Sequence, residues 1–187
     1  MKSRVFIGIN LTEKVKKKLI QATEKWQELP IKWVPEANLH VTLAFLGWIY
    51  NDLLPDICRK ARKIAENKEI IELEFEKIAL GLENSPADEI GRKPNMIWLW
   101  GKINPELLEI VRTLEKELGL SGIPRKTFRP HITLGRIRAK KWEALNPAPE
   151  INEKFSLTVS AESIDVMASE FVRESHEYTL LESCPLS

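Results

Sequence analysis

The hydrophobic and polar positions of this 187-residue chain follow two periods, which predict a mixture of strands and helices. Side chains alternate faces along a strand, whereas apolar residues recur every three or four positions on a buried helix face. Thr12 is predicted as the N-cap of the first helix. An exposed loop and a turn are predicted at residues 81–94 and 146–149. The predicted strands cover residues 4–9, 31–34, 40–47, 70–80, 96–103, 131–134, 155–167 and 176–181, and the predicted helices cover residues 12–28, 52–67 and 104–119.

Two of the predicted strands repeat almost the same four residues. By strand alternation, each histidine shares a face with the threonine two positions later, and apolar side chains take the opposite face. The chain has three histidines, and two of them occupy equivalent positions in matching tetrapeptides, which is difficult to explain by coincidence. The repeat predicts two equivalent half-sites; the competing interpretation is a pair of strand histidines that only pack. The repeated segments are His40-Val41-Thr42-Leu43, within NLHVTLAFLG, and His131-Ile132-Thr133-Leu134, within FRPHITLGRIR.

The number of strands argues against an all-helical protein and predicts the α+β class. Each histidine strand has a helix before or after it, which indicates a pseudo-twofold internal duplication. We expect residues 1–187 to form a single bilobal domain, in which two antiparallel sheets face a central cleft and carry helices on their outer faces. Polar strand faces that line this cleft would bring His40 and His131 together.

The net charge of the whole chain is close to zero, but positive charges are concentrated in one segment. The net charge of +1 gives no general attraction to nucleic acid, and 43% hydrophobic residues argue against disorder. Residues 125–141 carry only positive charges and surround the second histidine motif. Such a segment would attract an anionic substrate; alternatively it is only a solvated ribbon of charge. Its cations are Arg125, Lys126, Arg129, Arg136, Arg138, Lys140 and Lys141.

Cysteine content and hydropathy disfavour several classes of protein. Cys58 and Cys184 are too few for a disulfide framework and lack metal-ligand spacing, so we do not expect a structural or catalytic zinc site. No apolar run approaches the roughly 20 residues that span a bilayer, and the N-terminus lacks a secretory h-region. We therefore expect a cytoplasmic protein without a membrane partner. We also expect a monomer, because one chain supplies both half-sites.

Two imidazoles and two hydroxyls that meet in one site suit the cleavage of a phosphodiester. An ordinary histidine titrates near pH ~6.5, so near neutrality one ring can accept a proton while the other donates one. Each role is typically worth about 10²- to 10⁴-fold in rate. The threonine hydroxyls and nearby cations can hold the phosphoryl oxygens while negative charge grows on them.

The setting of the two motifs resembles a known family. The H-Φ-T-Φ motifs lie about ninety residues apart, F-L-G follows the first, and an arginine stands five residues after the second histidine. An opening R-x-F-I-x-I strand, the W-V-x-x-x-N-L-H and F-R-P-H-I-T-L approaches and a closing strand with Tyr178 and Leu180 extend the similarity over nearly the whole chain. The sequence resembles the two-histidine phosphoesterase superfamily and, within it, the RNA 2',3'-cyclic phosphodiesterases, historically called 2'-5' RNA ligases.

This resemblance implies an activity and residue roles. The substrate would be an RNA or nucleotide with a 2',3'-cyclic phosphate end, tRNA halves among them, and the product a 2'-phosphomonoester. By position, His40 would protonate the departing 3' oxygen and His131 would accept a proton from water. Thr42 and Thr133 would bind the phosphate, without a metal or cofactor. A 2'-5' RNA ligase activity would exchange acid and base, so the assignment of the two roles stays open.

Arg136 conflicts with simple alternation. The resemblance implies a phosphate contact for it, yet strict alternation from His131 turns Arg136 toward the core. Either the strand ends or bulges near Gly135, which would return Arg136 to the polar face, or Arg136 has another role; glycine inside a strand often marks a bulge. Alternation also predicts that Phe45 is buried. The residues considered for stacking on the base, each of them core material in the first instance, are Phe6, Trp33, Trp48, Phe128 and Arg129.

Two other functions stay open at this point. A non-catalytic module could bind a nucleotide or an RNA end with the same cleft, and a structural repeat could carry histidines that only pack. Intact histidines in both motifs favour catalysis over binding, and their shared strand parity disfavours a purely structural role. We interpret His176, the third histidine, as structural or exposed.

Overall fold

The computed structural model describes residues 1–66, 68–81, 94–120, 128–147, 149–172 and 175–187. The α+β class is confirmed. The strands are β1 (Lys2–Asn10), β2 (Ile31–Trp33), β3 (His40–Tyr50), β4 (Ile71–Gly81), β5 (Met96–Gly101), β6 (His131–Ile137), β7 (Asn152–Ala161), β8 (Ser163–Val172) and β9 (Ser175–Pro185). The helices are α1 (Glu13–Thr23), α2 (Leu54–Ala65), α3 (Pro105–Glu117) and α4 (Ala139–Glu143).

In the described part of the chain, these strands form one nine-stranded antiparallel sheet in the order β7-β4-β5-β6-β3-β1-β8-β9, with β2 paired to β6. The order divides at its centre into a first half, β3-β1-β8-β9, and a second half, β6-β5-β4-β7. Each half begins at a histidine strand, as an internal duplication predicts. Among the described residues, the Val41–Ile132 pair is the register contact that joins the halves.

The structure does not confirm two separate sheets that face each other. The histidine strands β3 and β6 are neighbours within a single sheet. Alternation along a strand cannot reveal its neighbours, because pairing joins residues that are far apart in the chain. The single strand predicted at 155–167 is also wrong: Glu162 separates β7 from β8, which belong to opposite halves.

Helices α2 and α3 pack on the sheet face opposite the histidines. Val41 and Ile132 are fully buried and belong to the same hydrophobic core as the buried sides of these helices. His40 and His131, which point the other way, are only half-buried. Burial of apolar surface is worth about 25 cal/mol per Å² removed from water. This term therefore decides which face of each histidine strand turns inward.

Matching bulges follow the two histidine motifs. The register of β3 against β1 shifts so that Leu43 has no partner, and Leu134 is skipped in the same way between β6 and β5. Each bulge returns the fifth residue after the histidine to the histidine face. Arg136 is therefore exposed, as the bulge expected beside Gly135 predicts. Phe45 is 63% exposed, so its predicted burial is wrong.

Other element boundaries differ from the prediction near turns. Thr12 is the N-cap of α1, and its hydroxyl accepts a hydrogen bond from the backbone N–H three residues later. The helix ends at Thr23 and a short 3-10 turn follows it, whereas β3 continues past Gly47 to Tyr50. The pattern does not predict α4, whose five residues are too few to show a helical period. The interior of the predicted loop at 81–94 lies outside the described residues.

Candidate active site

The two His-x-Thr motifs lie side by side on one face of the sheet. Val41 and Ile132 are direct antiparallel partners, so the residues that flank them point to the opposite face together. The structure thus brings the four predicted residues together by strand adjacency rather than across two opposing sheets. Antiparallel register places Thr42 beside His131 and His40 beside Thr133.

Both ring nitrogens of His40 have partners. Nδ1 lies 2.7 Å from the carbonyl oxygen of Asn38, and Nε2 lies 2.8 Å from Oγ1 of Thr42. A carbonyl oxygen can only accept, so Nδ1–H donates to it, and in the neutral ring Nε2 accepts from the Thr42 hydroxyl. Nε2 is therefore the nitrogen that can exchange a proton with a substrate. Phe6 and Tyr178 pack against the ring, with centroids 4.8 and 5.3 Å away.

The same backbone contact holds His131. Its Nδ1 lies 3.2 Å from the carbonyl oxygen of Arg129, again two residues before the histidine. Nδ1–H donates to this oxygen, which leaves proton exchange to Nε2. Trp98 and Trp100 pack against the ring, with centroids 4.3 and 5.9 Å away. Both histidines are thus fixed in the same tautomer by the same local contact, which packing alone does not require.

Burial lowers the pKa of His40 below its ordinary value of 6.5. The hydrogen bond to the Asn38 carbonyl raises this pKa, and the charges of His131 and Lys16 lower it further. The two imidazoles are therefore close enough to influence each other electrostatically. An anion bound beside the rings would act in the opposite direction, because a negative charge favours the protonated imidazole.

Arg136 stands on the histidine face at the boundary with the first half. Burial raises the pKa of Tyr178, and the charges of Arg136 and Arg4 lower it. Because Tyr178 also packs against His40, the Arg136 guanidinium lies in electrostatic range of the site. Its planar fork of N–H donors suits the oxygens of a phosphoryl group.

The aromatic residues considered for base stacking separate into two groups. Phe128 is buried in the core and Trp33 packs against the same core, so neither belongs to the histidine face. Phe6 is buried but contacts His40, and Trp48 is 69% exposed. Nearness to a motif in sequence cannot separate these groups, because neighbouring side chains alternate between opposite faces.

The basic segment contributes less than its length suggests. The Arg129 guanidinium pairs with Glu76 at 2.6 Å and lies over the Trp100 ring. Strand pairing places Arg136 on the histidine face, whereas Arg125 and Lys126 lie outside the described residues. The remaining cations are exposed at α4, namely Arg138, Lys140 and Lys141.

The roles of four residues at the site were not predicted from the sequence. Asn38 and Arg129 belong to the approach motifs, but they contact the histidines through backbone carbonyls, which every residue carries, so no side-chain pattern predicts these contacts. Lys16 is a nearly buried helix residue whose charge reaches His40. Trp98 is buried against His131, and its apolar segment gives no sign of that contact. Only the folded structure shows these contacts.

Comparison with known proteins places this chain in a family. Residues 9–86 and 99–175 match the family described as LigT like Phosphoesterase. The chain belongs to this family. A Thermus thermophilus protein named RNA 2',3'-cyclic phosphodiesterase is 30% identical over 194 residues, which cover 98% of the chain and 90% of that protein. A Thermotoga maritima protein of the same name is 28% identical over 151 residues, which cover 76% and 75% of the two chains.

Solved structures confirm the LigT-like phosphoesterase fold. The crystal structure of TT0787 from Thermus thermophilus has a TM-score of 0.79 at 27% identity, covering 98% of this chain and 97% of the other. E. coli LigT in complex with 3'-AMP has a TM-score of 0.74 at 25% identity, covering 100% and 99%. In the described part of this phosphoesterase, no helix is long and apolar enough to cross a membrane. The same residues contain no cluster of three His, Cys, Asp or Glu side chains placed to hold a metal ion.

Proposed function

We propose that this phosphoesterase hydrolyses RNA 2',3'-cyclic phosphodiesters to 2'-phosphomonoesters by paired-histidine acid/base catalysis. One observation carries the proposal: two His-x-Thr motifs lie on adjacent strands, and in each the Nδ1–H donates to a backbone carbonyl, so that Nε2 is the nitrogen that can exchange a proton with a substrate. Relatives named RNA 2',3'-cyclic phosphodiesterase support the substrate class. The complex of E. coli LigT with 3'-AMP supports a nucleotide as the bound group.

In the proposed step, Nε2 of His131 accepts a proton from water as the water oxygen attacks phosphorus. Nε2–H of His40 protonates O3' as the P–O3' bond breaks. The P–O2' bond remains, so the product carries its phosphate on O2' and a free hydroxyl on C3'. Thr42, Thr133 and Arg136 hold the phosphoryl oxygens and stabilise their growing charge. Exchange with solvent returns both histidines to their starting states, and no step requires a metal or a cofactor.

Substrate binding itself supplies the protonated form of His40. Because its pKa is lowered, His40 is mostly neutral at pH 7 in the substrate-free site. An anionic phosphodiester beside the ring raises that pKa again. If an RNA 5'-hydroxyl replaces water as the nucleophile, the same bond changes give a 2'-5' phosphodiester. This is the 2'-5' RNA ligase activity, and an assay for the joining of tRNA halves would test it.

The decisive assay uses EDTA-treated protein and a nucleoside 2',3'-cyclic phosphate or an RNA that ends in one. We expect hydrolysis to the 2'-phosphate, with kcat/KM at least about 100-fold lower in His40→Ala and in His131→Ala. Circular dichroism of both variants controls for folding, and size-exclusion chromatography tests the expected monomer. A 3'-phosphate product, or activity lost to EDTA, would contradict the mechanism. Tight nucleotide binding without turnover would favour the non-catalytic module.

A further inference from the structure

We infer that the first half of the sheet binds the single-stranded RNA on the 5' side of the cyclic phosphate, so that a polynucleotide is preferred over a mononucleotide. This inference rests on the proposed function and adds to it the path that the bound RNA follows over the protein surface. The surface concerned, the aromatic face, is the histidine side of the first half beyond the two motifs. Its defining residues are Lys2, Arg4, Phe45, Trp48, Tyr50 and Phe171.

Strand register makes the aromatic face continuous with the site. Asn10 of β1 lies opposite His40, and the same side of β1 carries Arg4 opposite Trp48 and Lys2 opposite Tyr50. The bulges in β3 keep its aromatic residues on this side. The next two strands continue the face, because Arg4 also lies opposite Ser169 of β8, which pairs with Tyr178 of β9.

The aromatic face leaves large rings in water. Phe45, Trp48, Tyr50 and Phe171 are 63%, 69%, 55% and 67% exposed. A cluster of exposed apolar side chains on one surface commonly marks a binding site. Exposed aromatic rings on a sheet are also the platforms on which single-stranded nucleic acids stack their bases.

The charges on the aromatic face fit a polyanion. The Lys2 ammonium lies 4.2 Å from the Tyr50 ring centroid, and Arg4 is exposed beside Trp48. No salt bridge among the described residues involves either cation. Within the described strands, alternation puts one carboxylate on this face, Asp165, which is 3% exposed and accepts hydrogen bonds from the Asn10, Ser163 and Ser183 side chains.

The second half differs from the aromatic face mainly in its rings. Its strand tryptophans, Trp98 and Trp100, pack against His131, and Lys102 and Arg129 are paired with Glu74 and Glu76. Its histidine side also carries two exposed cations, Arg136 and Lys154. A cyclic phosphate occupies the 3' end of an RNA, so the polynucleotide continues from the site in the 5' direction only. Of the two directions away from the histidines, the first half combines exposed rings with exposed positive charge.

The length of the aromatic face suits a few nucleotides. From Gly8, opposite Thr42, to Lys2 the strand rises roughly 20 Å at about 3.3 Å per residue. By analogy, the RNA recognition motif stacks two or three bases on the aromatic residues of a four-stranded sheet. We therefore expect two or three nucleotides beyond the terminal one to contact this face.

The test compares a nucleoside 2',3'-cyclic phosphate with a tetranucleotide that ends in the same group. We expect the tetranucleotide to have a kcat/KM at least about tenfold higher in the wild-type enzyme. Trp48→Ala and Phe171→Ala should each lower the ratio of the two kcat/KM values about tenfold, and Trp48→Phe should restore most of it because it keeps a ring. Ile103→Ala, which removes an exposed apolar side chain outside the aromatic face, is the matched control and should leave the ratio unchanged.

Filter binding of the labelled tetranucleotide separates failure of this inference from failure of the proposed function. Arg4→Gln should weaken binding and reduce the slope of log K against log salt by about 1. If neither substrate is hydrolysed but these variants weaken binding, the proposed function fails and the RNA path stands. Equal kcat/KM values and equal affinities for the two ligands would overturn the inference, as would a wild-type dimer that Trp48→Ala dissociates.

Discussion

The two halves of the sheet hold their histidines alike but differ in the surfaces around them. In each half, a carbonyl two residues before the histidine fixes Nδ1, and a bulge follows the threonine. Beyond these shared features, the surface next to the histidine in the second half is covered by a buried ring: Trp98 is 8% exposed and packs against His131. The first half leaves Trp48 69% exposed.

This difference indicates that two similar halves can keep the same histidine geometry and still have different surrounding surfaces. The shared features set the tautomer and direction of each imidazole, as the proposed proton transfers require in both halves. The surrounding surface can differ, since in the proposed RNA path only one side of the site accepts the rest of the substrate. The position five residues after each histidine shows the divergence: it is Phe45 in the first half and Arg136 in the second.

The largest expected effect tests whether the two halves act as one catalytic unit. Because acid and base serve the same step, the double variant His40→Ala/His131→Ala should lose little more kcat than the more damaged single variant, within the range of about 10²- to 10⁴-fold. Single-turnover hydrolysis of a cyclic nucleotide provides the measurement. Losses that multiply would mean that the histidines act in separate steps.

The next prediction compares two tryptophans, one from each half. Trp98→Ala should lower the free energy of unfolding by about 3–5 kcal/mol, because it empties a buried site against His131 and Gly81. Trp48→Ala should change it by less than about 0.5 kcal/mol, because its ring is already in water. Urea unfolding followed by circular dichroism measures both. Equal costs would remove the distinction between a packed half and an open half.

Arg136 provides a smaller test of the boundary between the halves. Removing its charge in Arg136→Gln should lower kcat/KM about 10- to 100-fold, since a hydrogen bond to a charged group is worth about 1.5–3 kcal/mol. Arg136→Lys should recover part of this loss. Lys140→Gln, which removes an exposed cation of the same basic segment, is the control. If Arg136→Gln behaves like Lys140→Gln, Arg136 does not contact the phosphate.

The smallest expected effect concerns the titration of His40. NMR of the ring should give a pKa below 6.5 in the free protein, and added inorganic phosphate should raise it. The unfolded chain binds this proton more readily, so His40 should contribute a loss of stability as the pH falls through 6.5 toward the folded pKa. A His40 pKa above 6.5 in the free protein would contradict this account.

The sequence predicts the arrangement of residues within each half-site better than the architecture of the sheet. Alternation in each motif correctly places His40 and Thr42 on one face, because the two-residue period follows from backbone geometry alone. The same alternation fails at Phe45, where the bulge at Leu43 shifts the parity. It would also misplace Arg136, which reaches the polar face only through the bulge in β6. A bulge depends on how the partner strand aligns, and no short segment records that alignment.

By itself, the sequence determined two half-sites, each with an imidazole and a hydroxyl on the polar side of a strand. These features depend on neighbouring residues and on the fixed geometry of the extended chain. Only the tertiary structure decided that Val41 pairs with Ile132, that the half-sites therefore adjoin in one sheet, and that the rings of Trp48 and Phe171 stay in water. These outcomes depend on contacts between distant segments, which are selected by burial of the whole core rather than by any local pattern.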